Sequence, residues 1–108
     1  MEDIILKLYN IILERKAEKQ QGSYTAYLFD EGIDKILKKC GEEMTEVIIG
    51  AKNADNAQTT EEICDLVYHL LVMMAQLGIK PEDVKNILQK RSEKMCNLKE
   101  KHSSNPLS

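Results

Sequence analysis

The stretch from Gly32 to Ile79 constrains this chain most, because it is patterned as two helices folded back on a short turn. Apolar side chains at Ile33, Ile36, Leu37, Cys40, Met44, Val47, Ile48 and Ala51 follow i, i+3, i+4, i+7, the mark of one buried helical stripe. Asn53-Ala54-Asp55-Asn56 then supplies turn residues, and a connection of about five residues is ordinary between packed helices. The next helix could start at Asp55 or at Thr59, where Thr59-Thr60-Glu61-Glu62 spells a capping box. Acid pairs ride on both arms: Glu43 with Glu46, preceded by Glu42, and then Glu62 with Asp65. Each pair is spaced i, i+3 and so shares a helix face. The midpoint of Glu46 and Glu62 is position 54, and so is that of Glu43 and Asp65. A hairpin centred there brings all four carboxylates to one height, roughly 12 Å from the turn at 1.5 Å per residue.

The remaining pattern extends the same helical architecture. Residues from about 2 to 20 carry Ile4, Ile5, Leu8, Ile11, Ile12 and Leu13 between charged side chains, which predicts an amphipathic first helix ended by Gln20-Gln21-Gly22-Ser23. Ser23 to Phe29 lacks helical periodicity and reads as a folded-over loop. Ile63 to Ile79 is apolar nearly all round, yet its seventeen residues hold Asp65, His69 and Gln76 and fall short of the ~20 apolar residues of a membrane span. Such a helix is buried on several sides, and in 108 residues that burial calls for a second copy of the chain. Gly78 stops the helix, and Pro81 with Glu82 and Asp83 starts another whose apolar face is Val84, Ile87, Leu88, Met95 and Leu98. Residues 1–100 therefore read as one all-α domain of four to five helices, completed by dimerisation, and 101–108 as a disordered tail.

Charge and cysteine usage narrow the function. A net charge of −3 argues against general affinity for nucleic acid or an anionic membrane and favours small-molecule or protein partners. Cys40, Cys64 and Cys96 form neither an even disulfide set nor a Cys-x-x-Cys pair, so reduced thiols in the cytoplasm are expected, with Cys40 and Cys64 packed inertly. The acidic N-terminus resembles no secretion signal.

For Glu42, Glu43 and Glu46 a solvated helix face is the structural alternative to a site, and for Glu62 it is the capping box; on spacing alone the two readings stand level. Asp65 tips the balance, since a lone acid inside an apolar helix is costly unless paired or bound to metal. Flanking carboxylates suit magnesium, whereas no cysteine and histidine set has the spacing for zinc. Lys35, Lys38 and Lys39 could neutralise phosphate oxygens or simply form a wet face. His69 could orient a phosphate or be a satisfied core histidine, and Ser23-Tyr24-Thr25 offers hydroxyl donors or merely a turn. Neither a Ser-His-Asp or Cys-His set nor a glycine-rich phosphate loop is suggested.

Glu42-Glu43-x-x-Glu46 followed by Glu62-x-x-Asp65 resembles the metal signature of the all-α, MazG-like nucleotide pyrophosphohydrolases. Ser23-Tyr24-Thr25, Leu28-Phe29, Gly32, Lys35-Ile36, Lys39, Gly41-Glu42-Glu43, Ala51-Lys52-Asn53 and Asp65-Leu66-x-Tyr68-His69 are similar, more narrowly, to the phosphoribosyl-ATP pyrophosphatases of histidine biosynthesis. The resemblance runs from about Ser23 through Arg91.

That resemblance implies a MazG-like bundle, an obligate homodimer, that hydrolyses 1-(5-phospho-β-D-ribosyl)-ATP to the AMP derivative and pyrophosphate. It implies Glu43, Glu46, Glu62 and Asp65 as ligands to magnesium, with manganese as a substitute, and Glu42 as a supporting group or general base. Lys35, Lys39, Lys52 and Asn53, with Ser23, Thr25 and His69, become candidates for substrate contacts. The cyclohydrolase domain often fused to such enzymes has no room in 108 residues. Two rivals are a house-cleaning pyrophosphohydrolase of noncanonical nucleoside triphosphates and a non-catalytic helical dimerisation module.

Overall fold

The computed structural model describes residues 3–18 and 21–96. Five helices follow in order: α1 (Ile4–Ala17), α2 (Tyr24–Glu31), α3 (Ile33–Lys52), α4 (Asn56–Leu77) and α5 (Pro81–Cys96), with no strand among the described residues. The protein is all-α. The expected tail at 101–108 lies outside the described residues.

The α3–α4 hairpin is the scaffold, and its turn is tighter than a loose loop. Asp55 N–H donates to Gly50 O and Ala54 N–H to Ala51 O, the paired bonds of a Schellman motif, with Ala54 at φ 56° in the left-handed position usually held by glycine. Asp55 then caps α4, its Oδ1 accepting from Gln58 N–H at 3.0 Å. Of the two possible starts, the helix thus uses Asp55; Thr59 lies inside α4 and its hydroxyl donates back to Asp55 O at 2.7 Å. The two helices touch closely at Gly50, where an added Cβ would stand 2.9 Å from Thr59 Oγ1.

The expected loop at Ser23–Phe29 is instead the first part of α2. Ser23 caps it, its Oγ accepting from Ala26 N–H at 3.2 Å. Eight residues carry only two turns, too few for a period to show, and burial of Thr25, Ala26, Leu28 and Phe29 overrides weak local propensity. The first helix starts at an Asp3 cap and ends at Ala17, short of the expected boundary near 20.

Tyr9 and Ile12 of α1, Leu28 and Phe29 of α2, Ile36 of α3, and Leu71, Val72 and Ala75 of α4 form the core. Polar side chains close its α4 end. Tyr9 Oη donates to Ile79 O at 2.7 Å, and Lys16 Nζ donates to Ala75 O at 3.2 Å, neutralising a carbonyl in the last turn of α4. Gly78 at φ 78° ends α4, and the chain turns through 111° into α5, which Pro81 opens as expected. No single helix among the described residues is long and apolar enough to cross a membrane.

Burial of α4 is less complete than its composition suggests. Leu71, Val72 and Ala75 are enclosed, but Ile63, Leu70 and Leu77, each seven residues apart, are exposed on another face. Leu37, Met44 and Ile48 of α3, and Val84, Ile87, Leu88 and Met95 of α5, are exposed as well. Cys40 is half-buried, its Sγ donating to His69 O at 3.4 Å, and burial pushes its thiol pKa up. Cys64, expected to be packed, is exposed because its position faces away from the core flank of α4.

Candidate active site

The mirror register about residue 54 has a chemical outcome. Glu43 from α3 and Glu62 and Asp65 from α4 each place a carboxylate oxygen so that all three oxygens lie within 4.8 Å of one another. A hard divalent cation is what such an all-oxygen donor set suits, and the half-buried position of Glu43 and Glu62 makes unscreened repulsion costly without one. Glu46 lines the same cleft with Glu42, Thr45 and Lys39 but is not one of the three converging acids. Glu46 is exposed, whereas Glu43 is half-buried against α4.

Lys39 joins this acidic cleft to a second one. Its Nζ lies 3.2 Å from Glu42 Oε1 and 3.8 Å from Glu43 Oε1. The hydrogen bond to Glu42 holds the Lys39 ammonium above the ordinary lysine range, so it stays charged at neutral pH. The adjoining cleft shares Lys39 and Glu42 and is otherwise lined by Tyr24, Tyr27, Lys35 and Lys38. Acids at one end and lysines at the other are therefore parts of one charged groove.

His69 is 6% exposed, and both ring nitrogens are engaged. Nδ1 lies 2.7 Å from Asp65 O, which can only accept, so Nδ1 carries the hydrogen. With that hydrogen on Nδ1, Nε2 is left to accept from Tyr24 Oη, 2.8 Å away. Thr25 Oγ1 and Tyr68 Oη hydrogen-bond beside it, so two neighbouring side-chain pairs clip the first turn of α2 to α4. Burial raises the Tyr24 pKa, with the Lys39 charge opposing, so its hydroxyl keeps its proton.

The structure thus gathers Glu43, Glu62 and Asp65 tightly, with Glu42, Glu46 and Lys39 in the same cleft and Lys35 in the adjoining one. Ser23, Thr25 and His69 are occupied by hydrogen bonds within the chain. Lys52 and Asn53 are exposed at the hairpin turn, about two helical turns beyond Glu46, and line neither cleft. The sequence offers Tyr24 only as one of the hydroxyl donors of Ser23-Tyr24-Thr25 and gives Tyr27 no role of its own. Their i, i+3 spacing was a usable signal only once the segment was known to be helical.

Comparison with known proteins matches residues 5–92 to the family described as phosphoribosyl-ATP pyrophosphohydrolase. The chain is 53% identical over 97 residues to the phosphoribosyl-ATP pyrophosphatase of Clostridium novyi, covering 90% of this chain and 88% of that one. It is 54% identical over 91 residues to the protein of the same name from Streptococcus thermophilus, covering 84% and 88%. It is also 56% identical over 81 residues to the histidine biosynthesis bifunctional protein HisIE of Thermoanaerobacter pseudethanolicus, which covers 75% of this chain and 38% of the longer protein. Matching across nearly the whole helical part, at over half identity, means that this chain belongs to the phosphoribosyl-ATP pyrophosphohydrolase family.

Proposed function

We propose that this protein hydrolyses 1-(5-phospho-β-D-ribosyl)-ATP to 1-(5-phospho-β-D-ribosyl)-AMP and pyrophosphate, in histidine biosynthesis. The observation that carries this reading is the convergence of Glu43, Glu62 and Asp65 at one end of a groove whose other end is lined with lysines. In a member of this family, that charge order matches a nucleotide lying with its scissile anhydride at the acids and the phosphate of its second, N1-linked ribosyl unit toward the lysines.

Glu43, Glu62 and Asp65, with Glu46 beside them, would hold magnesium or, in its place, manganese. The chemistry supplied by such a cation is charge neutralisation on the polyphosphate and acidification of the attacking water. Glu42, paired with Lys39 at the junction of the two clefts, would serve as a supporting group beside the cation or as the general base. Lys39 and Lys35 neutralise phosphate oxygens, and Ser23 and Thr25 act by fixing the α2 end of the groove. Lys52 and Asn53 are candidates for contacts to a phosphate reaching the hairpin turn.

The exposed apolar residues of α3, α4 and α5 support a homodimer, with residues 1–100 as one catalytic domain. Three free cysteines suit a reducing cytoplasm. The test is to incubate the purified protein with phosphoribosyl-ATP and magnesium and measure pyrophosphate. Release that requires the cation supports the reading; release only from noncanonical nucleoside triphosphates replaces it with a house-cleaning role, and no release from either leaves a dimerisation module.

A further inference from the structure

The groove between acids and lysines contains one feature that phosphate chemistry does not use. Tyr24 and Tyr27 project into it from consecutive turns of α2, with ring centroids 6.3 Å apart and planes inclined by 30°. They are 46% and 45% exposed, although the chain has only five aromatic residues and buries Tyr9 and Phe29 almost completely. Exposed aromatic faces beside three lysines are costly to leave wet and well suited to a flat, electron-poor ring.

We infer that Tyr24 and Tyr27 form the wall against which the purine ring of the nucleotide stacks, and that His69 is the positioning residue that sets the angle of Tyr24. The inference rests on the pyrophosphohydrolase reading for the identity of the nucleotide. Position supports it: the tyrosine cleft adjoins the acidic one through Lys39 and Glu42, so a nucleotide with its anhydride at the acids carries its base toward α2. Chemistry supports it too. A purine substituted at N1 is electron-poor, and tyrosine faces attract such rings as they attract cations. Lys35 Nζ lies 5.9 Å from the Tyr27 ring centre, placing a cation at the wall's edge for an attached phosphate.

His69 can hold Tyr24 because it is itself held. Its Nδ1–H is tied to Asp65 O, its ring meets the Tyr24 ring edge-on at 74°, and Tyr68 packs on it at 84° from another side. Tyr24 therefore presents a fixed ring face instead of sampling rotamers, and its hydroxyl is committed to His69 and not to substrate.

The wall is tested with Tyr27→Leu, which keeps apolar bulk but loses the ring. The expected result is a KM for phosphoribosyl-ATP raised about 5- to 150-fold, the range for loss of one base–aromatic stack, with kcat within about threefold. The inhibition constant of inorganic tripolyphosphate, which has no base, should stay unchanged. An equal rise for tripolyphosphate, or no rise for the substrate, overturns the wall. Positioning is read by a double-mutant cycle in which Tyr24→Phe, His69→Ala and the double variant all raise KM by the same factor. His69→Gln, whose amide can still accept from Tyr24, should recover most of the loss; additive effects or no recovery overturn the role of His69. A separate arm follows quenching of tyrosine fluorescence by AMP, strong in the wild type and weak in Tyr27→Leu. If the wild type turns over no phosphoribosyl-ATP, the hydrolase reading fails, while the AMP arm still decides whether the wall binds a purine.

Discussion

Neutralising one acid of the cluster should change stability in opposite directions with and without metal, and Asp65→Asn is the cleanest such change. Asp65 is in no ion pair among the described residues, and its contact with His69 uses the backbone carbonyl, which the substitution keeps. Its carboxylate faces those of Glu43 and Glu62 within 4.8 Å. Two unit charges at that distance repel by about 0.9 kcal/mol in water, and a Debye length of ~8 Å roughly halves this. Two pairs relieved give about 1 kcal/mol, which for a domain of this size raises Tm by about 4–8 °C. The gain should grow at low salt. Magnesium should reverse the order, since a ligand bound only by the folded wild type stabilises it by about 2.7 kcal/mol at a hundred times its Kd. Differential scanning fluorimetry in chelator and then in millimolar magnesium reads both arms. A lower Tm for Asp65→Asn in chelator would show that the three acids do not crowd in solution. Equal stabilisation of both proteins by magnesium would show that the cluster is not where the cation binds.

Four further outcomes are expected. Gly41→Ala, where an added Cβ meets nothing within 4 Å, should stabilise α3 by up to about 1 kcal/mol, whereas Gly50→Ala should lose about 0–2 kcal/mol because overpacking against Thr59 outweighs the same helix gain; urea midpoints that move both proteins upward would contradict the close approach. Lys85 hydrogen-bonds Asp3 and lowers its pKa, so the contribution of this pair is present above the ordinary carboxyl value of 3.8 and lost as pH falls through the lower folded value; Asp3→Asn should show less loss of stability between about pH 5 and 3 than the wild type, and parallel losses would discount the pair. Leu70→Asp on the exposed face should give a folded monomer by sedimentation, while Val72→Asp, at a position 0% exposed, should unfold the protein; a wild type that is monomeric at micromolar concentration rules out the dimer. Catalytic efficiency on phosphoribosyl-ATP should exceed that on ATP by powers of ten, since each charge-assisted hydrogen bond to the phosphate of the N1-linked ribosyl unit, which ATP lacks, is worth about 1.5–3 kcal/mol, and Lys39→Ala should narrow the gap; equal efficiency on both substrates would favour the house-cleaning reading.

The long elements and the acid register were legible because they depend on spacing within one stretch of chain. Apolar residues of α3 recur with the helical period over twenty residues, and the mirror placement of Glu43 and Asp65 about residue 54 needs only the rise per residue to become a convergence. Even so, spacing treated Glu46 as the equal of Glu43. Side-chain direction separates them, and that depends on the rotation of each helix about its axis, which packing at Gly50 and Thr59 sets.

What the sequence could not determine lies where local preference is weak and burial decides. Seven residues rich in aromatic and hydroxyl groups favour no conformation by themselves, and they became the start of α2 because Leu28 and Phe29 had a core to enter. Composition made α4 look buried on every side, yet the enclosure of Val72 and the exposure of Ile63, Leu70 and Leu77 depend on which helices stand beside it. The bond from Tyr24 to His69 joins residues 45 apart in the chain, so no local pattern encodes it. Helix periods and acid spacings are properties of a segment and survive in the sequence; which face is covered, and which two side chains meet across the groove, are properties of packing and exist only once the chain has closed on itself.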